Sequence, residues 1–338
     1  MPIRLLIVDD SAFMRKIITD IVAEFDGVEV IGIARNGLDA LDIIPTVMPD
    51  IITLDVEMPR LNGIETLKRI KAKYDIPVIM LSSHTGTDIT IEALQVGAVD
   101  FIEKPTDLRA NLSELKTELE MKIKSVLKKK KTDSLPVQRF NIPDVKITKE
   151  IKAVVIGAST GGPKALVHLI SKLPRKMNIP IFIVQHMPKG FTTSFANRLD
   201  SESNAKVVEA KDGMIIQNGT VYLAPGDFHM IIDRNTIRLS TNEKIHGVRP
   251  AVDHLFKTAS EVYKSKLLAI IMTGMGKDGS EGMKVIKNNG GYNLAQNEAS
   301  CVVYGMPGSA VAKGVVDEIL SLEGLSTNLN RVIGDSAQ

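Results

Sequence analysis

Short apolar runs alternate with amphipathic stretches along the first third of the chain. Five of these runs have the length and composition of buried strands: 5–8, 28–33, 51–54, 78–81 and 101–102. The stretches between them carry apolar residues at helical spacing. Strands that alternate with helices form a parallel sheet with helices on both faces. The pattern therefore predicts an open α/β domain.

Helical patterns mark both ends of this domain. Ser11 is suited to cap a first helix, whose inner face would hold Phe13, Ile17 and Ile21. A long amphipathic helix follows the fifth strand, with apolar residues three or four positions apart: Leu108, Leu112, Leu115, Leu119, Ile123 and Val126. The lysine run at 128–131 and two prolines then interrupt regular structure. We predict a first domain over residues 1–125 and a linker over 126–148.

The rest of the chain has a different strand pattern. An apolar run at 153–156 ends in small residues and turns into a helix, with Pro163 in its first turn. Buried-type strands are also predicted at 181–185 and 267–272. Residues 221–224 and 230–239 alternate apolar and polar positions around turns, which predicts antiparallel strands. We expect a second α/β domain over 149–338, with a mainly parallel sheet and an attached antiparallel hairpin.

Composition and charge exclude several classes of protein. Of the 338 residues, 44% are hydrophobic and 24% charged, and no apolar run approaches the ~18 residues that span a membrane. The N-terminus lacks a signal-peptide pattern, and the single cysteine, Cys301, excludes an intramolecular disulfide. A net charge of +2 argues against a protein that is basic throughout. We expect a cytoplasmic protein without direct membrane insertion or nucleic-acid binding.

Acidic residues follow two strands of the first domain. Asp9 and Asp10 come directly after the first strand, and Asp55 follows the third. Neighbouring carboxyl ends of parallel strands converge on one crevice, so these carboxylates need a cation, and oxygen ligands suit Mg²⁺. Ser82 and Lys104 end two further strands and could hold the oxygens of a phosphoryl group on Asp55.

A second group of polar residues stands at strand ends of the second domain. Ser159 lies in a glycine-rich strand-to-helix turn that matches G-x-S-x-G, while His186 and Asp278 follow later strands. A serine nucleophile, a histidine base and an orienting aspartate could then act together. Backbone N–H groups after Ser159 and around Met275 are candidates for an oxyanion hole. The glycine-rich turn alone is equally typical of a phosphate-binding loop, so a binding module remains an alternative.

The first domain resembles response-regulator receiver domains. The resemblance extends over its whole length in the segments LLIVDDSAFMR, ITLDVEMPRLNG, VIMLSS and DFIEKP. It implies a flavodoxin-like fold, Asp55 as phospho-acceptor and Asp9, Asp10 and Asp55 as the Mg²⁺ site. It further implies phosphoryl sensing by Ser82, Lys104 and the switch residue Phe101, with a chemotaxis histidine kinase as partner.

The second domain resembles the catalytic domain of chemotaxis protein-glutamate methylesterases. The segments are IGASTGGP, VQHMPKGFTTSFANRL, YLAPGDFHM, VDHLF, TGMGKDG and LAQNEASCVVYGMP. The resemblance implies a triad of Ser159, His186 and Asp278, with Thr160 beside the nucleophile and Met275 in the oxyanion loop. It also implies methylated chemoreceptors as substrates, glutamine deamidation, no cofactor for the esterase reaction, and an unphosphorylated receiver that covers Ser159. One departure is Val248, where the family usually has histidine before Arg-Pro.

Overall fold

The computed structural model describes residues 1–83, 86–128, 147 and 150–334, which fall into two compact units within 1–136 and 137–338. Most of the expected linker, including the lysines at 129–131 and both prolines, lies outside the described residues. Among the described residues, no helix combines the length and apolar character needed to cross a bilayer.

The first unit is a five-stranded parallel sheet with the strand order β2-β1-β3-β4-β5. Its strands are β1 (Ile3–Val8), β2 (Val28–Ala34), β3 (Ile51–Asp55), β4 (Val78–Ser82) and β5 (Asp100–Glu103). Its helices are α1 (Ala12–Ala23), α2 (Gly37–Val47), α3 (Gly63–Lys73), α4 (Thr87–Val96) and α5 (Leu108–Lys128). The five predicted strands are confirmed, and β1, β3 and β4 end beside one another at the edge that carries Asp9, Asp55 and Ser82.

The inner faces of two helices define the core of this unit. Ser11 caps α1 as predicted, since its hydroxyl accepts a hydrogen bond from the Met14 N–H at 3.3 Å. The prediction for Phe13 is wrong, because its side chain is 63% exposed. The buried stripe of α1 is Met14, Ile18, Ile21 and Val22. Phe13 lies one residue, about 100°, away from that stripe. The apolar stripe of α5 packs into the same core through Leu115, Leu119, Ile123 and Val126.

The second unit has a seven-stranded parallel sheet with the order β14-β13-β12-β6-β7-β9-β8. Its strands are β6 (Ala153–Ala158), β7 (Ile181–Gln185), β8 (Lys206–Glu209), β9 (Thr220–Leu223), β12 (Leu267–Ile271), β13 (Tyr292–Gln296) and β14 (Glu318–Leu320). The antiparallel hairpin consists of β10 (His229–Asp233) and β11 (Thr236–Ser240). Helices α6 (Gly162–Ile170), α7 (Phe191–Glu202), α8 (Val252–Tyr263), α9 (Ser280–Asn288), α10 (Met306–Ala312) and α11 (Leu322–Gly334) complete the unit.

The mainly parallel sheet and the hairpin agree with the predicted fold class, with one correction. The expectation that residues 221–224 form an antiparallel strand is wrong, because β9 pairs in parallel with both β7 and β8. Strand β6 is flanked by β7 and β12, and the order of connections reverses between β6 and β12. In an open parallel sheet, ligand sites form at the carboxyl ends of the strands beside such a reversal.

Candidate functional site

The turn after β6 places Ser159 at the reversal point of the second sheet. Its backbone N–H donates to the Thr273 carbonyl at 3.0 Å, and its carbonyl accepts from the Gly162 N–H at 2.7 Å. Gly161 has φ = 75°, and a Cβ there would lie 2.5 Å from Val302. Glycine at 161 therefore serves two needs: a left-handed backbone and close approach of the neighbouring loop. The result is a tight turn that leaves the Ser159 side chain partly exposed.

His186 and Asp278 meet beside this turn. His186 directly follows β7, and its Nε2 lies 2.8 Å from Oδ2 of Asp278 in the loop after β12. Asp278 also accepts hydrogen bonds from the backbone N–H groups of Val252 (2.7 Å), Asp253 (2.9 Å) and Gly279 (2.9 Å). Burial raises the pKa of the Asp278 carboxyl, but His186 and the N–H groups outweigh it and hold that pKa below its usual value. Asp278 is therefore an ionised acceptor for imidazole.

The orientation of the imidazole assigns its two nitrogens different tasks. An ionised carboxylate can only accept, so Nε2 carries the proton toward Asp278 and Nδ1 is the basic nitrogen. The Ser159 hydroxyl has no hydrogen-bond partner among the described residues, so the expected contact between Ser159 and His186 is not formed here. Such contacts are often open before substrate binds. The two residues nevertheless continue adjacent paired strands, with Ala158 opposite Gln185.

The loop after β12 lies against the nucleophile turn. A Cβ on Gly274 would be 2.8 Å from the Ser159 Cβ, which places the neighbouring Met275 beside the serine. The Gly274 carbonyl accepts hydrogen bonds from the N–H groups of Gly305 (3.0 Å) and Met306 (2.8 Å), which fix the loop. The N–H of Thr160 has no acceptor within the described part of the chain. The Thr160 N–H and the Met275 loop thus both lie beside Ser159.

Thr273 is a residue of this site that the sequence did not single out. Its hydroxyl donates to the Thr160 carbonyl at 2.9 Å and accepts from the N–H groups of Val302 (3.1 Å) and Val303 (3.0 Å). It therefore joins the nucleophile turn to the segment that supports the Met275 loop. The TGMGKDG segment contained this threonine, but no spacing rule indicated which carbonyl it would reach.

A second histidine–aspartate pair lies next to the first. His246 Nε2 is 3.1 Å from Oδ2 of Asp253, a buried residue whose N–H donates to Asp278. His246 stands in a tight turn with φ = 54°, closed by two hydrogen bonds between Ile245 and Val248. The departure at Val248 therefore lies in a turn that contains a histidine two residues earlier. This histidine contacts Asp253, whose N–H donates to Asp278.

In the first unit, Lys104 joins two of the predicted acids. Its Nζ lies 2.8 Å from Asp9 Oδ2 and 2.8 Å from Asp55 Oδ2. One oxygen from each of Asp9, Asp10 and Asp55 lies within 4.8 Å of the others. Burial raises the pKa of Asp55 to about 6, against the lowering effect of Lys104. Three carboxylates this close together, two of them buried, offer the oxygen ligands that Mg²⁺ prefers.

Ser82 and Phe101 are the remaining residues of the first unit that the sequence predicted to be functional. Ser82 is buried, and its Oγ lies 2.6 Å from the hydroxyl of Thr90 on α4. Phe101 is buried on β5, with Lys122 Nζ 5.6 Å from the centre of its ring. The contacts of Thr90 and Lys122 were not predicted, because a contact between a strand and a helix depends on the position and rotation of the helix against the sheet.

The two units thus define a class of protein: a receiver-type domain with clustered carboxylates, followed by an α/β domain that places Ser159 beside a hydrogen-bonded His186–Asp278 pair. The family model for the response regulator receiver domain matches residues 5–116, and the model for CheB methylesterase matches residues 154–329. The chain therefore belongs to the CheB methylesterase family. Its output domain is a methylesterase. The domain before it is a receiver, a type of domain that generally has a Mg²⁺-binding phosphorylation site.

Relatives match over almost the entire chain. A "protein-glutamate methylesterase/protein-glutamine glutaminase" of Clostridium acetobutylicum is 45% identical over 339 residues, covering 98% of each chain. Its counterpart in Bacillus subtilis is 41% identical over 351 residues, again covering 98% of each. The crystal structure of the Thermotoga maritima CheB methylesterase catalytic domain is 45% identical, with a TM-score of 0.52, and covers 55% of this chain and 100% of its own.

Proposed function

We propose that this protein demethylates methylated glutamates, and deamidates glutamines, on the cytoplasmic part of chemoreceptors. The observation that carries the proposal is the 2.8 Å contact between His186 and Asp278 beside the Ser159 turn. The substrates follow from relatives named protein-glutamate methylesterase/protein-glutamine glutaminase. Mass spectrometry for a covalent adduct at Ser159 after treatment with a serine-directed phosphonate tests the proposal. An untouched Ser159 would favour the alternative, a receiver-controlled binding module.

The chemistry follows from the positions of the polar groups. Ser159 Oγ attacks the ester carbonyl of the methylated glutamate while its proton passes to His186 Nδ1. The N–H groups of Thr160 and Met275 stabilise the oxyanion, each donor contributing roughly 10²–10³ in rate. The C–O bond to methoxide breaks, the imidazolium returns the proton, and methanol leaves an acyl-enzyme. Water, activated by His186, then releases glutamate; with glutamine, ammonia leaves in place of methanol.

The receiver domain supplies the control of this reaction. We infer that Asp55 accepts a phosphoryl group from a chemotaxis histidine kinase, with Mg²⁺ held by Asp9, Asp10 and Asp55. The cation neutralises charge on the phosphoryl oxygens when bound. The Ser82 hydroxyl, which accepts from Thr90 and donates to the Ser83 carbonyl, turns its proton toward the phosphoryl group. Lys104 pairs with that group, and Phe101 responds to the movement of Ser82. We assign the receiver to residues 1–125, the linker to 126–148 and the catalytic domain to 149–338.

The acceptor residue can be tested directly. With Mg²⁺ and a small phosphodonor, the wild-type protein should gain one phosphoryl group that hydroxylamine removes, because acyl phosphates are sensitive to that reagent. Asp55→Asn should gain none, and chelation of Mg²⁺ should have the same effect. Phosphate content by intact-mass spectrometry is the measurement. Label that persists in Asp55→Asn would move the acceptor to another residue, with Asp10 the first to be examined.

If the unphosphorylated receiver inhibits the catalytic domain, the whole chain and the isolated catalytic part should differ in activity. A fragment beginning at residue 149 should be more active than the unphosphorylated full-length protein, and phosphodonor should activate only the latter. If phosphorylation lowers the free energy of the active form relative to the inhibited form by about 1.4 kcal/mol, a small active fraction rises about tenfold. Initial rates of methanol release measure both effects. A folded fragment no faster than the unphosphorylated protein would exclude inhibition by the receiver.

A further inference from the structure

Gln185 lies between the proposed nucleophile and the proposed base. It is the last residue of β7, and its side chain is buried at 2% exposure. Its Nε2 donates to the Ser159 carbonyl at 3.0 Å and to the His186 carbonyl at 3.1 Å. A single side-chain amide thus connects the backbones of both residues.

The two carbonyls that accept from Gln185 differ in whether another group also donates to them. The Ser159 carbonyl also accepts from the Gly162 N–H at 2.7 Å, so it keeps a partner without Gln185. For the His186 carbonyl, Gln185 is the only donor among the described residues. Removal of the amide would therefore leave the His186 carbonyl without a donor in the described part of the chain. The His186 N–H would still donate to the Ala158 carbonyl at 3.1 Å, and the Gly162 N–H would keep the Ser159 turn closed.

Gly162 provides the space that this contact requires. A Cβ at position 162 would lie 2.1 Å from Gln185 Oε1 and 3.1 Å from its Cδ, so any other residue would displace the amide. The Oε1 atom is itself buried without a hydrogen-bond partner in the described part of the chain. A buried amide with an unpaired oxygen is costly. Only the NH₂ end is used, and it joins the two residues whose relative position governs proton transfer.

We propose that Gln185 is a positioning residue that fixes the carbonyl end of the His186 backbone relative to Ser159, in addition to the hydrogen bond from the His186 N–H to the Ala158 carbonyl. This inference rests on the proposed function, since it presumes that the two residues react together. Misplacement of a reacting group by about 1 Å can reduce a rate about 10²-fold. The loss should fall on kcat, because Gln185 is buried beneath the turn and does not reach the substrate.

Gln185→Met tests the proposal, because methionine has similar length and no N–H donors. The chain offers a matched control in Asn293, whose buried Nδ2 also donates to two carbonyls, those of Met283 and Val315, at 2.8 Å each. Its Oδ1 also lacks a partner among the described residues. Asn293→Leu therefore removes the same kind of contact from the beginning of β13, away from Ser159 and His186.

The full-length proteins are compared by methanol release from a peptide glutamyl methyl ester and by the rate of phosphonate labelling at Ser159. Gln185→Met should lower kcat and the labelling rate about 10- to 100-fold with KM nearly unchanged, whereas Asn293→Leu should stay within about twofold. Equal losses in both variants, or wild-type rates in a folded Gln185→Met, would overturn the proposal. If the wild type itself neither labels nor releases methanol, the proposed function fails instead.

A second variant covers the case in which Gln185→Met does not fold. Gly162→Ala retains the Gln185 side chain but puts a methyl group 2.1 Å from its Oε1, which displaces the amide, and 2.9 Å from the Ala158 Cβ. It should lower kcat in the same direction, and the double variant should lose little more than either single one, because both remove one contact. A folded Gly162→Ala with unchanged kcat would contradict the proposal.

Discussion

Replacing Ser159 with alanine should reduce the rate of methanol release by roughly 10⁴- to 10⁶-fold, and His186→Ala should reduce it nearly as much. The serine without a base is a weak nucleophile, and the base without the serine has nothing to activate on the acyl-enzyme route. The double variant should therefore lose little more than either single one. Initial rates on a methylated receptor fragment, with folding checked by circular dichroism, provide the measurement.

The matched control for this experiment is His168→Ala. His168 lies on α6, the helix that follows the Ser159 turn, and its Nε2 is 2.9 Å from Oε2 of Glu323 and 3.1 Å from Lys172 Nζ. These are exposed partners, so their loss should change the rate by less than about twofold. Full activity in Ser159→Ala would remove Ser159 from the reaction. Additive losses in the double variant would mean that Ser159 and His186 act in separate steps.

Asp278→Asn should lower the rate by about 10⁴-fold while the protein remains folded. The reason lies in the four donors around this carboxylate: His186 and Val252 at Oδ2, Asp253 and Gly279 at Oδ1. An asparagine NH₂ on the Oδ1 side would face two backbone N–H groups. On the Oδ2 side it faces only one, and there it donates to His186 Nε2. That orientation moves the imidazole proton to Nδ1, which can then no longer accept a proton from Ser159.

The control for this variant is Asp253→Asn, because Asp253 is a second buried carboxylate, with an oxygen within 4.8 Å of one from Asp278. Its Oδ1 accepts from the Gly282 N–H at 2.6 Å and its Oδ2 pairs with His246. An asparagine satisfies both by keeping its oxygen on Gly282 and turning its NH₂ to His246. Asp253→Asn should retain activity within a few-fold. The pH profile and histidine NMR shifts of Asp278→Asn report the tautomer, and an unchanged rate would contradict the assigned role of Asp278.

Low pH should weaken the second unit through the same carboxylate. The pKa of Asp278 is lower in the folded protein than in the unfolded chain. Its contribution to the free energy of unfolding is therefore complete above the ordinary aspartate pKa and is lost as the pH falls through the lower, folded value. This contribution is expected to be absent in Asp278→Asn.

The residues at the strand ends were predictable because a parallel sheet brings every carboxyl end to one edge. Asp9, Asp55, Ser159 and His186 needed only the strand boundaries to be placed. The direction of β9 was not predictable. Alternation of apolar and polar residues shows which face of a strand is buried, but it does not show which strands lie beside it or in which direction they run. The contacts of Gln185 and Thr273 depend on the exact path of a turn, and the position of Phe13 depends on the rotation of one helix. None of these features produces a periodic pattern of apolar and polar residues in the sequence.

The central position of β6 also determines when the enzyme can first work. Ser159 lies near the middle of the 338-residue chain, but Asp278 follows His186 by 92 residues. Strand β12 must pair with β6 before the carboxylate reaches the imidazole. Pairing of segments so distant in sequence is a late event in folding. A nascent or C-terminally shortened chain that ends before β12 would carry the nucleophile and the base without the aspartate. Hydrolytic activity is thereby withheld until synthesis of the chain is nearly complete.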